Sequence, residues 1–289
     1  MKQQNQNKII ERMIKDRKFR VAVTRESHYW FFHFYFRHYV TFRTAEFHKR
    51  MFQITEDENI NLAAIVAFRG SGKSSIFTLS YALWSILGKQ EKKFVVILSQ
   101  TQRQAKQYLM NIKTELERKG LLSRDLGPFR EESDEWGGFS LVIPKYKARI
   151  TAASSEQSIR GIRHLQNRPE VIICDDIEDL QSTKTKEGRD RTYNWFKGDI
   201  IPAGTTHTKI IVIGNLLHED SLLKRIQQEI KEEKLNGIYE EFPLVNREGK
   251  ISWPDKFPDH NAISTERKRV GDDVAWMREY LLTIIPNRG

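Results

Sequence analysis

The chain predicts an α/β fold, a mostly parallel sheet flanked by helices with a small helical lid and linker subdomain behind it. Three observations carry this. Four short, β-branched apolar runs (Leu62–Ala67, Phe94–Ser99, Val171–Asp175 and Lys209–Gly214) alternate with helical patterns, as buried parallel strands do. The first run feeds a glycine-rich turn, A-F-R-G-S-G-K-S-S over 67–75, that opens a helix. The third ends in acid, V-I-I-C-D-D-I-E over 171–178.

In chain order, residues 5–27 read as one basic helix with Ile9, Ile10, Met13 and Ile14 on a common face. Residues 29–52 are dense in Phe, Tyr and Trp; packing is the preferred reading over stacking on single-stranded bases. This stretch is also placed to pack beside a nucleotide's base. Its histidines, at 28, 33, 38 and 48, lack a metal-binding spacing. After Leu62–Ala67 a helix is expected over 74–87, and after Phe94–Ser99 another over about 101–119. Residues 139–152 suggest a pair of strands. Helices are expected over 185–198 and 219–233, on either side of Lys209–Gly214. The pattern loosens from Gly237. Residues 253–258, W-P-D-K-F-P, read as a linker, and 261–284 as one charged amphipathic helix. The resulting division is 1–52, a basic and aromatic segment packing on the core; 53–235, the core; and 236–289, the lid and linker.

With 39% hydrophobic and 30% charged residues, the 289-residue chain can bury one large α/β core. It has no apolar run long enough to span a membrane, and its first residues lack the apolar stretch of a secretory signal. The single cysteine, Cys174, rules out a disulfide within the chain and suits a reducing compartment. Charge is uneven: residues 1–50 hold twelve Lys/Arg against four Asp/Glu, so +8 of the net +10 lies there. A basic end of this kind suits a polyanion, nucleic acid above all.

The turn at 67–75 has the composition of a phosphate-binding loop. Successive N–H groups of residues Arg69, Gly70, Ser71, Gly72, Lys73, Ser74 and Ser75 would cradle phosphate oxygens at a helix N-terminus. Gly70 and Gly72 supply positive φ. Lys73 would reach the β- and γ-phosphates of ATP, and the Ser74 hydroxyl would bind Mg²⁺. Asp175, at the carboxyl end of an apolar strand, would complete the Mg²⁺ shell. Together these define a P-loop NTPase of the ASCE type. A carboxylate must still direct the attacking water. Asp176 follows Asp175 directly and Glu178 lies two residues on; either reaches, and Glu178 is narrowly preferred. Asn215, at the tip of Lys209–Gly214, is placed to sense the γ-phosphate or its water. Arg160, Arg163 and Arg168, on a loop just before the acidic strand, suit either transition-state charge or DNA phosphate.

Two oddities of the turn, Ala67 where the general pattern wants glycine and Arg69 inside the loop, fit a particular family. The ordered set resembles the large terminase subunit of tailed bacteriophages, the motor that packages DNA. Its further blocks are V-V-I-L-S-Q-T-Q-R-Q-A-K (95–106), S-I-R-G-I-R-H (158–164), R-P-E-V-I-I-C-D-D-I-E-D (168–179), I-G-N-L-L-H-E-D-S-L-L (213–223), W-P-D-K-F-P and M-R-E-Y-L-L (277–282). The resemblance runs from about residue 29 to residue 286. It implies ATP hydrolysis driving double-stranded DNA into a procapsid in the host cytoplasm. Portal protein and a small terminase subunit would be partners, and the working form a homo-oligomeric ring that can be monomeric in isolation. It implies that Arg69 acts within its own subunit, that Arg160 is an arginine finger for a neighbour, and that Asn215 couples hydrolysis to movement. The family's catalytic carboxylate is usually Glu, which D-D-I-E leaves open between Asp176 and Glu178. Its nuclease half would need further strands bearing carboxylates, and the late acids (Asp255, Asp259, Glu266, Asp272, Asp273, Glu279) lie in loop or helix-like sequence, so no nuclease activity is expected of this chain. The alternatives are a helicase-like DNA-dependent ATPase, which usually needs two such cores, and a nucleotide-binding assembly module with little hydrolysis.

Overall fold

The four apolar runs form strands at the expected residues: Leu62–Ala67 (β1), Phe94–Ser99 (β2), Val171–Asp175 (β5) and Lys209–Gly214 (β6). Every residue of these strands is buried, which is why they read as continuous apolar runs without alternation. In the computed structural model, which describes residues 2–130, 136–155 and 157–284, they belong to one seven-stranded sheet. The end of the resemblance, Pro286, lies outside the described residues. The expected pair over 139–152 is Ser140–Ile143 (β3) and Ala148–Ser154 (β4), joined antiparallel. All other neighbours are parallel, in the order β3-β4-β2-β5-β6-β1 and then a seventh strand, Ile238–Phe242 (β7). One additional strand, β6, separates the strand of the glycine-rich turn from the acid-tipped strand, so the tips of β1, β6 and β5 stand side by side.

The helices depart from expectation where a cap intervenes. Residues 5–27 form two helices, Lys2–Lys15 (α1) and Arg17–Glu26 (α2), because extended Asp16 breaks the run and its carboxylate accepts the Phe19 N–H at 3.0 Å. His28–Tyr35 (α3) and Glu46–Glu56 (α4) then carry the aromatic segment into the main core, where Phe31, Phe32, Phe36, Phe47 and Phe52 are buried. The helix after the turn begins with a wider, π-type pitch over Ser75–Tyr81 and tightens at Ala82–Leu87 (α5). Gln102–Glu117 (α6) is capped by Thr101. Leu121–Leu126 (α7) and Leu180–Lys184 (α8) were too short to leave a periodic signal. Lys186–Trp195 (α9), a second π-type stretch Phe196–Ile200 and a last turn Ile201–Ala203 (α10) occupy the next crossover, and Leu222–Lys231 (α11) the one after it.

Three expectations for the C-terminal part are corrected. The sheet runs past residue 235, because β7 joins β1 at an edge; half-exposed and carrying Glu240 and Glu241, it has no apolar run to betray it. Its acids are held by Arg50 (2.5 Å) and Lys224 (2.9 Å). Residues 253–258 are no free linker: the Trp253 indole N–H donates to the Arg43 carbonyl at 2.7 Å and its ring packs edge-on to Phe47 and His48. The single helix over 261–284 is two, His260–Val270 (α12) and Asp273–Glu279 (α13); Gly271 ends the first at φ +68° and Asp272 caps the second. Among the described residues no helix is long and apolar enough to cross a membrane.

Candidate active site

The turn between β1 and the following helix has the backbone its glycines predict, with φ of +75° at Gly70 and +86° at Gly72. Two of its carbonyls are held from outside. The Lys256 ammonium donates to the Gly70 carbonyl at 2.9 Å and His48 Nε2 to the Ser71 carbonyl at 2.7 Å. The histidine's tautomer follows from its other side. Nδ1 accepts the Ala45 backbone N–H at 3.0 Å, so the proton sits on Nε2. Burial holds His48 well below the usual histidine range, at about 4, so the neutral ring persists. Because the Ser71–Gly72 peptide is planar, pinning its carbonyl toward His48 points the Gly72 N–H the opposite way. The Ser71 hydroxyl is buried without a partner, while Arg69 and Gly70 are exposed.

Lys73, only 8% exposed, extends along the strand tips and donates to Asn215 Oδ1 at 3.0 Å. Asn215 in turn donates through Nδ2 to Glu279 Oε2 on α13. Asp175, fully buried at the end of β5, accepts the Thr78 hydroxyl at 2.5 Å on one oxygen; its other oxygen has no partner. Burial raises Asp175 to about 6, helped by the charge of Asp176 and opposed by Thr78, Lys73 and Ser74. An unpaired buried carboxylate oxygen beside the Ser74 hydroxyl is a fitting donor pair for a hard divalent cation such as Mg²⁺, which takes one or two protein oxygens and completes its shell with phosphate and water. Among the described residues no cluster of three His, Cys, Asp or Glu side chains could hold a metal by itself, in keeping with so sparse a donor set.

Asp176 and Glu178 part company. Asp176 stands in the left-handed region at φ +49°, its N–H bonded to the Ile213 carbonyl at 3.1 Å. It is raised by burial, lowered by Lys73, raised by Glu279 and lowered by Arg69, so it faces the turn's own charges. Glu178 does not. Both its oxygens accept the Leu222 N–H, at 2.9 and 3.0 Å, and burial pushes it up to about 7. Glu178, the narrowly preferred water-directing carboxylate, thus caps the N-terminus of α11, satisfying one of its open amides. Asp179 caps α8 through the Ser182 N–H.

Arg160 is two-thirds exposed and paired with Asp199 at 2.5 Å, on the loop after β4, at the outer surface. Arg163 and Arg168 are exposed on the same loop. Ser75 lies at the rim of a cavity of about 220 Å³ that opens beside Gly70 and Gly72. Its walls are aromatic, with Phe32, Phe42 and Phe52 from the N-terminal segment and Trp253 opposite, and Thr44 and Lys256 add polar edges. The aromatic segment thus packs and, with the same residues, walls a cavity at the turn.

Sequence reasoning missed His48, Lys256, Thr78 and Glu279 as parts of this site, and Tyr108 on α6, whose hydroxyl is pushed up by burial and then by Asp175 and Asp176. Only W-P-D-K-F-P carried a local signal, two aromatics bracketing a lysine.

No family model matches the sequence, and no curated protein matches it. Solved structures do. The large terminase of bacteriophage HK97 superposes with a TM-score of 0.57 at 15% identity, over 84% of this chain and 51% of that one. A mutant ATPase domain of the Thermus phage P74-26 large terminase gives a TM-score of 0.50 at 12% identity, over 78% of this chain and 90% of that one. At these identities the likeness is one of fold: the chain has the P-loop α/β architecture and spans about half the length of the HK97 protein.

Proposed function

We propose that the chain is an ATP-hydrolysing motor domain that moves double-stranded DNA in phage packaging. The observation that carries the reading is the convergence, at the tips of β1, β5 and β6, of a glycine-rich turn with Lys73, a buried Asp175 with an open oxygen, Asp176, and Asn215 bonded to Lys73. The order of the motifs along the chain and the shared fold add to it.

In this reading the N–H groups of residues 69–75 and the Lys73 ammonium bind the phosphates of ATP, and the aromatic cavity beside Gly72 takes the base. Ser74 and Asp175 hold Mg²⁺, which when bound neutralises charge on the β- and γ-oxygens. Asp176 accepts a proton from the attacking water, its basicity raised by burial while Lys73 and Arg69 keep it from becoming neutral too early. Arg69 stabilises charge within the subunit and Arg160, exposed on the surface, serves a neighbouring subunit of a ring. Asn215 reports on the phosphate end. The basic N-terminal segment and the 160–168 loop supply phosphate contacts to duplex DNA. Portal protein of a procapsid and a small terminase subunit are the expected partners, and the host cytoplasm the place.

The test is ATP turnover by purified protein, measured against protein concentration with and without duplex DNA. Lys73→Ala should abolish turnover while leaving the thermal transition in place. Turnover that persists in Lys73→Ala would refute the site assignment. Turnover that stays negligible at every concentration, despite tight ATP binding, would refute the motor.

A further inference from the structure

Glu279 lies 64 residues beyond Asn215 in the chain, on the short helix α13, yet it is buried against the phosphate end of the site. One carboxylate oxygen accepts Asn215 Nδ2, the other the Arg278 guanidinium at 3.0 Å, and its main-chain carbonyl accepts the Arg69 N–H at 2.8 Å. Both its backbone and its side chain therefore serve residues of the glycine-rich turn or the tip of β6.

The bond order is forced by chemistry. An ammonium only donates, so the atom of Asn215 facing Lys73 must be the amide oxygen, and the amide nitrogen is left for Glu279, which as a carboxylate only accepts. Lys73, Asn215 and Glu279 form one directed chain of cation, amide and anion. Glu279 is in turn tied to the C-terminal segment. Tyr280 stacks on Trp276 with ring centroids 4.4 Å apart, its hydroxyl donates to Glu266 of α12 at 3.0 Å, and its carbonyl accepts the Leu244 N–H at 2.8 Å.

We propose that Glu279 is a positioning residue that fixes the orientation of Asn215 and relays the engagement of the Lys73 ammonium by phosphate to the α12–α13 unit. A triphosphate drawing on the Lys73 ammonium competes with Asn215 Oδ1 for it. An amide that turns or slackens then alters its hold on a buried carboxylate, and a buried charge with a weakened partner is costly enough to move its helix. The proposal rests on the reading of the turn as an ATP site.

The experiment uses the full chain and a non-hydrolysable ATP analogue, with amide hydrogen exchange followed over residues 260–280 and turnover measured in parallel. In the wild type the analogue changes exchange in this segment. In Glu279→Ala the change is lost and kcat falls about tenfold or more while KM moves less than about threefold. Glu279→Gln, which keeps an acceptor for Asn215 but carries no charge, restores most of kcat and less of the exchange response. Asn215→Ala breaks the chain from the other side and should lose the exchange response too, so the proposal stays testable if Glu279→Ala fails to fold. A wild-type exchange response in either folded variant overturns it. A wild type that binds no analogue overturns the ATP-site reading itself, whereas one that binds and hydrolyses but shows no response over 260–280 overturns only the inference.

Discussion

His48→Leu is the sharpest test of how the glycine-rich turn is held. Leucine fills nearly the same space but can neither donate to the Ser71 carbonyl nor accept the Ala45 N–H, bonds of 2.7 and 3.0 Å. Ser71 is fully buried, so its carbonyl is stranded at a cost of about 1–3 kcal/mol. Ala45 is only half-buried, and water can satisfy its N–H in part, so it adds about 1 kcal/mol or less. The sum, about 1–4 kcal/mol, lowers Tm by roughly 2–7 °C for a chain of this size. The turn also loses the pin that aims the Gly72 N–H. If about 1.4 kcal/mol of the loss falls on the phosphate-binding geometry, ATP affinity drops about tenfold. Calorimetry and titration of a fluorescent ATP analogue measure the two effects separately. His48→Gln places an amide N–H near the position of Nε2 and should recover affinity more fully than stability. Wild-type Tm and affinity in His48→Leu would refute the reasoning.

Further outcomes follow from the ionisable groups and the two carboxylates. His48 has its pKa lowered to about 4, so its neutral form is favoured in the folded state. The associated stability is full above the unfolded value near 6.5 and is lost as pH falls toward 4. The stability advantage of wild type over His48→Gln, measured by urea denaturation, should therefore shrink by about 2 kcal/mol between pH 7 and pH 5; an unchanged difference counts against a neutral His48. Asp176→Asn should fold, since asparagine tolerates the left-handed backbone at φ +49°, and lose about 100-fold or more in kcat. Glu178→Gln keeps an acceptor for the Leu222 N–H and should leave turnover within a few-fold of wild type. Reversal of that pair in a steady-state ATPase assay would restore Glu178 as the water-directing group.

Much of the scaffold was legible because it is local. β1, β2, β5 and β6 announce themselves as unbroken apolar runs because both faces of each are covered. The turn at 67–75 is read from adjacent residues whose roles depend on one another at fixed spacing, and its positive-φ glycines follow directly. β7 was illegible for the opposite reason. At the sheet edge, with one neighbour and two ion-paired glutamates, it needs no apolar pattern. The helix breaks at Asp16 and at Gly271-Asp272 were written in capping residues, but an amphipathic pattern running across them concealed the stop.

By itself, then, the sequence determined the parallel core, the turn with Lys73 and Ser74, and the acid at the tip of β5. Those features are set by hydrophobic period and backbone sterics, which act over a few residues. Only the tertiary structure showed what each of the two carboxylates touches. Asp176 sits on a left-handed backbone with Lys73 and Arg69 acting on its charge, while Glu178, two residues on, is taken up by the amide of Leu222 at the start of α11. It also brought His48, Lys256 and Glu279 to the site from distant parts of the chain. Hydrogen bonds between such residues are set by how elements pack, and no spacing along the chain records them.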